Sequence, residues 1–175
     1  MRVIAGEFRG RRLAAPPGNA TRPTTDMVRE AVFNSLRAMD ILDGAVVVDL
    51  YAGTGALGIE ALSRGAARCT FIEKDQKALR VLRENVAALK IEDRCAVVPA
   101  DVTAMLSSIG SVDLVFADPP YEFEGWAALL EQLDAEFVVA ESARPIPAQP
   151  AWDILRERTY GRTCVTVFAA ADGIR

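Results

Sequence analysis

Four apolar runs in this chain each lead to an acid, and the stretches between them carry helical periodicity. Ala45-Val46-Val47-Val48 leads to Asp49, and Cys69-Thr70-Phe71-Ile72 leads to Glu73. Cys95-Ala96-Val97-Val98-Pro99 precedes Asp101, and Leu114-Val115-Phe116-Ala117 precedes Asp118. Runs this short and this continuously apolar are strands buried on both faces, as in a parallel sheet covered by helices. Between the second and third, Ala78, Leu82, Val86 and Leu89 form the packed stripe of a helix from about Asp75 to Lys90. Alternating strands and helices predict an α/β fold with a doubly wound, mostly parallel sheet. One polar group at the carboxyl end of each successive strand is what a ligand crevice in such a sheet requires.

The flanks extend this pattern. Arg22-Pro23-Thr24-Thr25-Asp26 reads as a capped helix start, and Val28, Val32, Leu36 and Met39 follow as a buried face. Arg22, Arg29 and Arg37 fall outside that stripe, where they would line a substrate cleft. Phe123 to Leu133 predicts a further helix and Glu136 to Glu141 a fifth strand. The proline-rich segment from Ala143 to Pro150 predicts a surface loop. Asp153 to Tyr160 and Thr163 to Ala169 flank Gly161-Arg162, which suggests a closing antiparallel hairpin.

At the other end, Arg2 to Ala5 and Phe8 to Leu13 suggest two short strands joined through Gly6 to Gly10. Charge is uneven. Residues 1–37 carry a local +4, while the remainder carries −8. A small basic hairpin (residues 1–21) would either grip RNA phosphates through Arg9, Arg11 and Arg12 or be a solvated arm. Residues 22–175 would form the main domain.

Composition then removes chemistries. The 175 residues contain no histidine, which excludes Ser-His-Asp and Cys-His catalysis and the usual zinc sites. Three widely spaced cysteines with no CxxC pair are small apolar residues rather than disulfides or ligands, so no metal is expected. No apolar run reaches membrane-spanning length, and Met1-Arg2-Val3 does not open a signal peptide, so the expectation is a cytoplasmic protein.

What remains is carboxylates, backbone and a cofactor. Tyr51-Ala52-Gly53-Thr54-Gly55-Ala56-Leu57-Gly58 follows the first strand and contains the spacing of the dinucleotide fingerprint, with Glu73 twenty residues after Gly53. A nicotinamide dehydrogenase is therefore one candidate. Asp49 points elsewhere. A carboxylate just before the glycine turn opposes a pyrophosphate but suits the cationic amino group of S-adenosylmethionine. On that reading Glu73 accepts the ribose hydroxyls, Asp101 takes the adenine amine and Val102 covers the ring. Tyr51, Gly53, Gly55 and Lys74 complete the candidate cofactor residues.

Asp118-Pro119-Pro120-Tyr121 supplies the candidate chemistry. The prolines stop the strand and fix a carboxylate, a rigid turn and an aromatic ring at its end. The Asp118 carboxylate and the Pro119 carbonyl suit the N–H bonds of an exocyclic amine, a poor nucleophile that needs positioning. Tyr121 would stack on a base taken out of its helix. The plainer alternative is a turn with Tyr121 on its rim.

Arg22 to Asp26, Arg29 to Asn34, Asp49 to Gly58 continuing to Ala66, Asp118 to Tyr121, and Tyr160-Gly161 occur together in this order. In this combination the chain resembles the bacterial RsmD-type family, the small-subunit (16S) ribosomal RNA guanine-N2 methyltransferases. The resemblance covers nearly the whole length. It implies a class I, Rossmann-like methyltransferase fold, S-adenosylmethionine as donor, and a guanine of assembled or assembling small subunits as target. Separately, the protein is expected to be a monomer. It also implies an RNA side formed by the basic segment and by Arg22, Thr24, Arg29 and Asn34. Met27 stands where the family often has arginine, and Glu141 lacks the histidine that often follows it. Asp-Pro-Pro-Tyr fits any exocyclic amine. Methylation of adenine N6 or cytosine N4 is thus the main alternative, and a non-catalytic assembly factor a further one.

Overall fold

A computed structural model describes residues 1–15 and 26–171 of the chain. Seven strands form one sheet: β1 Val46–Leu50, β2 Arg68–Glu73, β3 Cys95–Pro99, β4 Val112–Ala117, β5 Ala135–Ser142, β6 Trp152–Tyr160 and β7 Thr163–Ala170. Their spatial order is β3-β2-β1-β4-β5-β7-β6. The first five strands run parallel, and β7 pairs antiparallel with both β5 and β6. Chain order reverses between β1 and β4, so the crevice that a doubly wound sheet offers lies beyond their carboxyl ends.

The helices are α1 Asp26–Ala38, α2 Ala56–Ser63, α3 Gln76–Leu89, the single turn α4 Val102–Met105, and α5 Trp126–Gln132. Side-chain alternation along the strands sorts the core into two layers. Val47, Phe71, Phe116 and Val139 share one buried cluster with Phe33 and Leu36 of α1, Leu62 of α2 and Leu82 of α3. Val48, Leu50, Val115 and Val138 share the other with Leu129 and Leu130 of α5, Ile146 and Trp152. Val28, Val32 and Leu36 are buried on α1, and the α3 stripe is buried as its spacing predicts. Asp75 caps α3 by accepting from Lys77 N–H and Ala78 N–H at 3.0 and 2.8 Å.

Two expectations change in detail. The helix after the Pro-Pro turn begins at Trp126, because Phe123 N–H donates to the Pro120 carbonyl at 2.9 Å and prolongs the turn. The two N-terminal strands reduce to a single antiparallel bridge, Arg2 to Arg12. Their segment is nevertheless fastened. Val3, Phe8 and Leu13 sit in the first buried cluster, and Ile4 N–H and Ala5 N–H donate to the Glu60 carboxylate at 2.8 and 3.0 Å. Phe8 N–H donates to Ser63 Oγ at 3.0 Å, and Ala14 N–H to Asn85 Oδ1 at 2.7 Å. Among the described residues, no helix is long and apolar enough to cross a membrane.

Candidate active site at the β1–β4 crevice

The glycine turn between β1 and α2 is held from both sides by acids. Gly55 has φ +80, and a Cβ there would lie 2.4 Å from Leu82 Cδ1, so only glycine fits. Glu73 Oε2 accepts from Gly53 N–H at 2.8 Å, while Oε1 accepts from Lys74 N–H and Asp75 N–H at 2.8 and 2.7 Å. A carboxylate has about four lone-pair sites, so Glu73 retains about one for a ligand hydroxyl rather than the two that the sequence suggests. Asp101 Oδ2 accepts from Lys74 Nζ at 2.8 Å and Oδ1 from Thr103 Oγ1 at 2.7 Å. Those bonds, Lys74 first, hold the Asp101 carboxyl down at about 2. Tyr51 takes φ 58 at the turn, and its ring meets Phe123 edge-on at 5.9 Å.

Asp49 departs furthest from its expected place. It is 2% exposed, and Oδ2 accepts from Gly58 N–H at 2.9 Å beneath the glycine turn. The side chain shares the face of Val47 and supports the start of α2 from below rather than standing open at the crevice. Burial pushes its carboxyl well above the ordinary range, and the nearby Asp118 and Glu73 charges add to the shift. Folded chains therefore bind this proton more tightly than unfolded ones. Asp49 thus costs stability progressively as pH rises from the ordinary carboxylate range towards its raised pKa. Asp49→Asn keeps an acceptor for Gly58 N–H and carries no charge. It is expected to flatten that slope and to melt at or above the wild-type temperature at pH 8. Parallel melting-temperature curves for the two proteins from pH 5 to pH 8 would contradict this account.

The third glycine of the fingerprint works by close packing. A Cβ on Gly58 would come within 2.4 Å of Phe71 Cε1 and 2.5 Å of Cys69 Sγ, both on β2. Gly58→Ala is expected to cost about 1–3 kcal/mol by overpacking, read as a lower urea midpoint at unchanged slope.

Beside the candidate cofactor residues lies a cleft of about 260 Å³. Asp118, Pro119, Pro120, Tyr121, Phe123 and Trp126 line one side, and Met27 and Val28 of α1 enter from another. Glu141 and Ser142 come from the end of β5, and Tyr160, Gly161 and Thr163 from the β6–β7 turn. Tyr121 is 47% exposed, and its hydroxyl lies 3.0 Å from Thr163 Oγ1, so the hairpin steadies an otherwise open ring. Phe123 packs edge-on against Trp126 at 5.2 Å. The sequence reading omits Val28, Glu141, Tyr160 and Thr163 from the candidate residues. For Glu141 the signal is present: it is an acid at the end of the apolar run Phe137 to Ala140, the same rule that marks the other strand ends.

Among the described residues, the expected RNA residues do not converge on this cleft. Arg29 is fully buried, with Nη2 donating to the Arg2 carbonyl and to Asp26 Oδ1, so it is a core residue and not an RNA contact. Burial lowers its pKa, opposed by the nearby Glu60 and Asp26 charges. Arg9, Arg11 and Arg12 are exposed. Their segment is tied to the carboxyl ends of α2 and α3 through Glu7 N–H to Ser63 O at 2.7 Å and Arg11 Nη2 to Ala88 O at 2.6 Å. That places it toward the amino edge of the sheet, away from Asp118. Asn34 is exposed on α1, and its Oδ1 accepts from Arg64 Nη1 at 3.3 Å. Arg22 and Thr24 lie outside the described residues.

Comparisons with known proteins add context to this geometry. Residues 1–169 match the family model described as "Conserved hypothetical protein 95". "Ribosomal RNA small subunit methyltransferase D" of Escherichia coli (strain K12) is 36% identical, the match covering 96% of this chain and 89% of that protein. "Putative rRNA methyltransferase YlbH" of Bacillus subtilis (strain 168) is 37% identical over 96% of this chain and 98% of that one. A solved Escherichia coli structure, "Putative methyltransferase yhhF", superposes with a TM-score of 0.85 at 36% identity, covering 97% of each chain.

Proposed function

The chain belongs to the RsmD-type family, matched here as conserved hypothetical protein 95, and on that premise we propose that it methylates the exocyclic N2 of a guanine in small-subunit ribosomal RNA, with S-adenosylmethionine as donor. The observation that carries the reading is the Asp118 to Tyr121 turn, which opens a cleft at the carboxyl end of β4 beside the glycine turn of β1. Its relatives are named for ribosomal RNA methylation.

The cofactor residues fit a cationic, phosphate-free ligand. Glu73 and Asp101 flank the glycine turn where a pyrophosphate would have to sit, and carboxylates there oppose a dianionic group. Tyr51, Gly53, Gly55 and Val102 form the backbone and apolar surface, with Lys74 steadying Asp101. When bound, S-adenosylmethionine supplies an electrophilic methyl group.

The chain's part is positioning. The Asp118 carboxylate and the Pro119 carbonyl accept the two N–H bonds of the guanine amine and hold its lone pair toward the donor. Tyr121, kept in place by Thr163, stacks on the extruded base. Trp126 and Phe123 keep water from one wall of the cleft. Residues 1–21 act as the RNA side of a methyltransferase domain of residues 22–175. Arg9, Arg11, Arg12, Arg22, Thr24 and Asn34 contact the phosphates of a target large enough to reach both edges of the sheet. The protein works as a monomer on assembled or assembling subunits.

Incubation with methyl-labelled S-adenosylmethionine and small subunits from cells lacking this activity tests the reading, with free ribosomal RNA and duplex DNA in parallel. N2-methylguanosine from the subunits, identified by mass, is the expected product. Label in N6-methyladenine or N4-methylcytosine would overturn the base assignment. A melting temperature raised by NAD and not by S-adenosylmethionine would overturn the donor.

A further inference from the structure

Glu141 is a buried carboxylate in the cleft that the positioning of the amine leaves unused. It is 6% exposed and lines the cleft together with Asp118. Ala117 of β4 pairs with Ala140 of β5, so the next residues, Asp118 and Glu141, stand side by side on neighbouring parallel strands. Such strands lie about 4.8 Å apart. Alternation puts Glu141 on the face of Val139, and Asp118 on the face of Phe116, which belong to the same buried cluster. Pairing of Glu141 with Val165 of β7 fixes its backbone from the other side. Two carboxylates therefore address one flat ligand along adjacent positions of its edge.

That spacing has a chemical meaning for nucleobases. Among bases with an exocyclic amine, only guanine carries a hydrogen on a ring nitrogen next to that amine. Adenine N1 and cytosine N3 present lone pairs there. We infer that Glu141 is the specificity-determining residue, accepting the guanine N1–H while Asp118 and the Pro119 carbonyl hold the N2 amine. This rests on the reading of the cleft as a guanine-N2 methylation site. A carboxylate facing a ring lone pair repels adenine and cytosine, so the same atom attracts one base and rejects the others. A carboxylate has about four acceptor sites, so a single bond within the protein leaves others for the base.

The test compares kcat/KM for small subunits rebuilt with RNA that carries guanine or 2-aminopurine at the methylated nucleotide. 2-Aminopurine keeps the N2 amine but has a lone pair at N1. Wild-type protein is expected to prefer guanine. Glu141→Gln is expected to lose roughly 10- to 100-fold on guanine, the worth of one charge-assisted hydrogen bond. It should also narrow the preference, because its amide can donate to the N1 lone pair. A ratio unchanged by the substitution overturns the inference, since damage to the fold alone lowers both rates together. The wild type gives a second reading that is independent of the variant's folding. Equal rates on guanine and 2-aminopurine would mean that nothing reads N1–H, and the inference fails while N2 methylation stands. Absence of N2-methylguanosine from the wild type would remove both.

Discussion

Asp118→Ala is expected to lower methyl transfer to small subunits by roughly 100- to 1,000-fold, the usual scale for removing one group aimed at a reacting centre. Affinity for S-adenosylmethionine should change little. Asp118 lines the cleft proposed for the base, whereas the glycine turn is held by Glu73 on Gly53 and by Asp49 on Gly58. The variant loses a carboxylate that adds to the electrostatic strain on buried Asp49, so its melting temperature should not fall on that account. Single-turnover label transfer and equilibrium cofactor binding separate the two effects. Turnover like that of the wild type would sink the positioning mechanism. A loss confined to cofactor affinity would move Asp118 from the base to the donor.

Glu60→Ala is expected to be the most damaging change away from the cleft. Glu60 is fully buried, and its carboxylate accepts from Ile4 N–H, Ala5 N–H and Arg64 Nε, the last at 2.7 Å. The Arg64 side chain is only 7% exposed and stacks on the Phe33 ring at 5.1 Å, so it cannot turn to water for a partner. Glu60 also offsets part of the cost of burying Arg29. Removing the acid leaves two backbone donors without their acceptor and a buried guanidinium that keeps Asn34 Oδ1 but loses its counter-charge, a loss of about 3–5 kcal/mol. For a chain of this size that is a drop of about 6–20 °C in melting temperature. Proteolysis should cut the first fifteen residues earlier than in the wild type, because both of their Glu60 anchors are gone. A melting temperature within about two degrees of the wild type would contradict the ledger of partners.

Much of the crevice is legible along the chain because its parts are local. A strand that ends at an acid, a glycine turn and a Pro-Pro stop each announce themselves within a few residues. Their common placement follows from the rule that ligands gather at the carboxyl ends of parallel strands. Glu141 obeys the same rule, but neither a glycine turn nor a Pro-Pro stop follows it, and the histidine that often follows it in the family is absent. Arg29 is the opposite case. It lies off the apolar stripe of α1 and reads as solvent-facing, yet the N-terminal segment folds over it and supplies the Arg2 carbonyl as acceptor. No local pattern announces that, since the contact joins residues 27 positions apart.

By itself the sequence determined the alternation of buried strands and amphipathic helices, the glycine turn, the Asp-Pro-Pro-Tyr stop and the closing hairpin. All of these are set by periodicity and backbone restriction over short spans. Tertiary structure alone decided where each carboxylate points. It turned Asp49 under the glycine turn, filled most of Glu73 with backbone N–H bonds, buried Arg29 and set Glu141 beside Asp118. Those outcomes depend on strand register and on which face another element covers, and both are fixed only when distant segments pack.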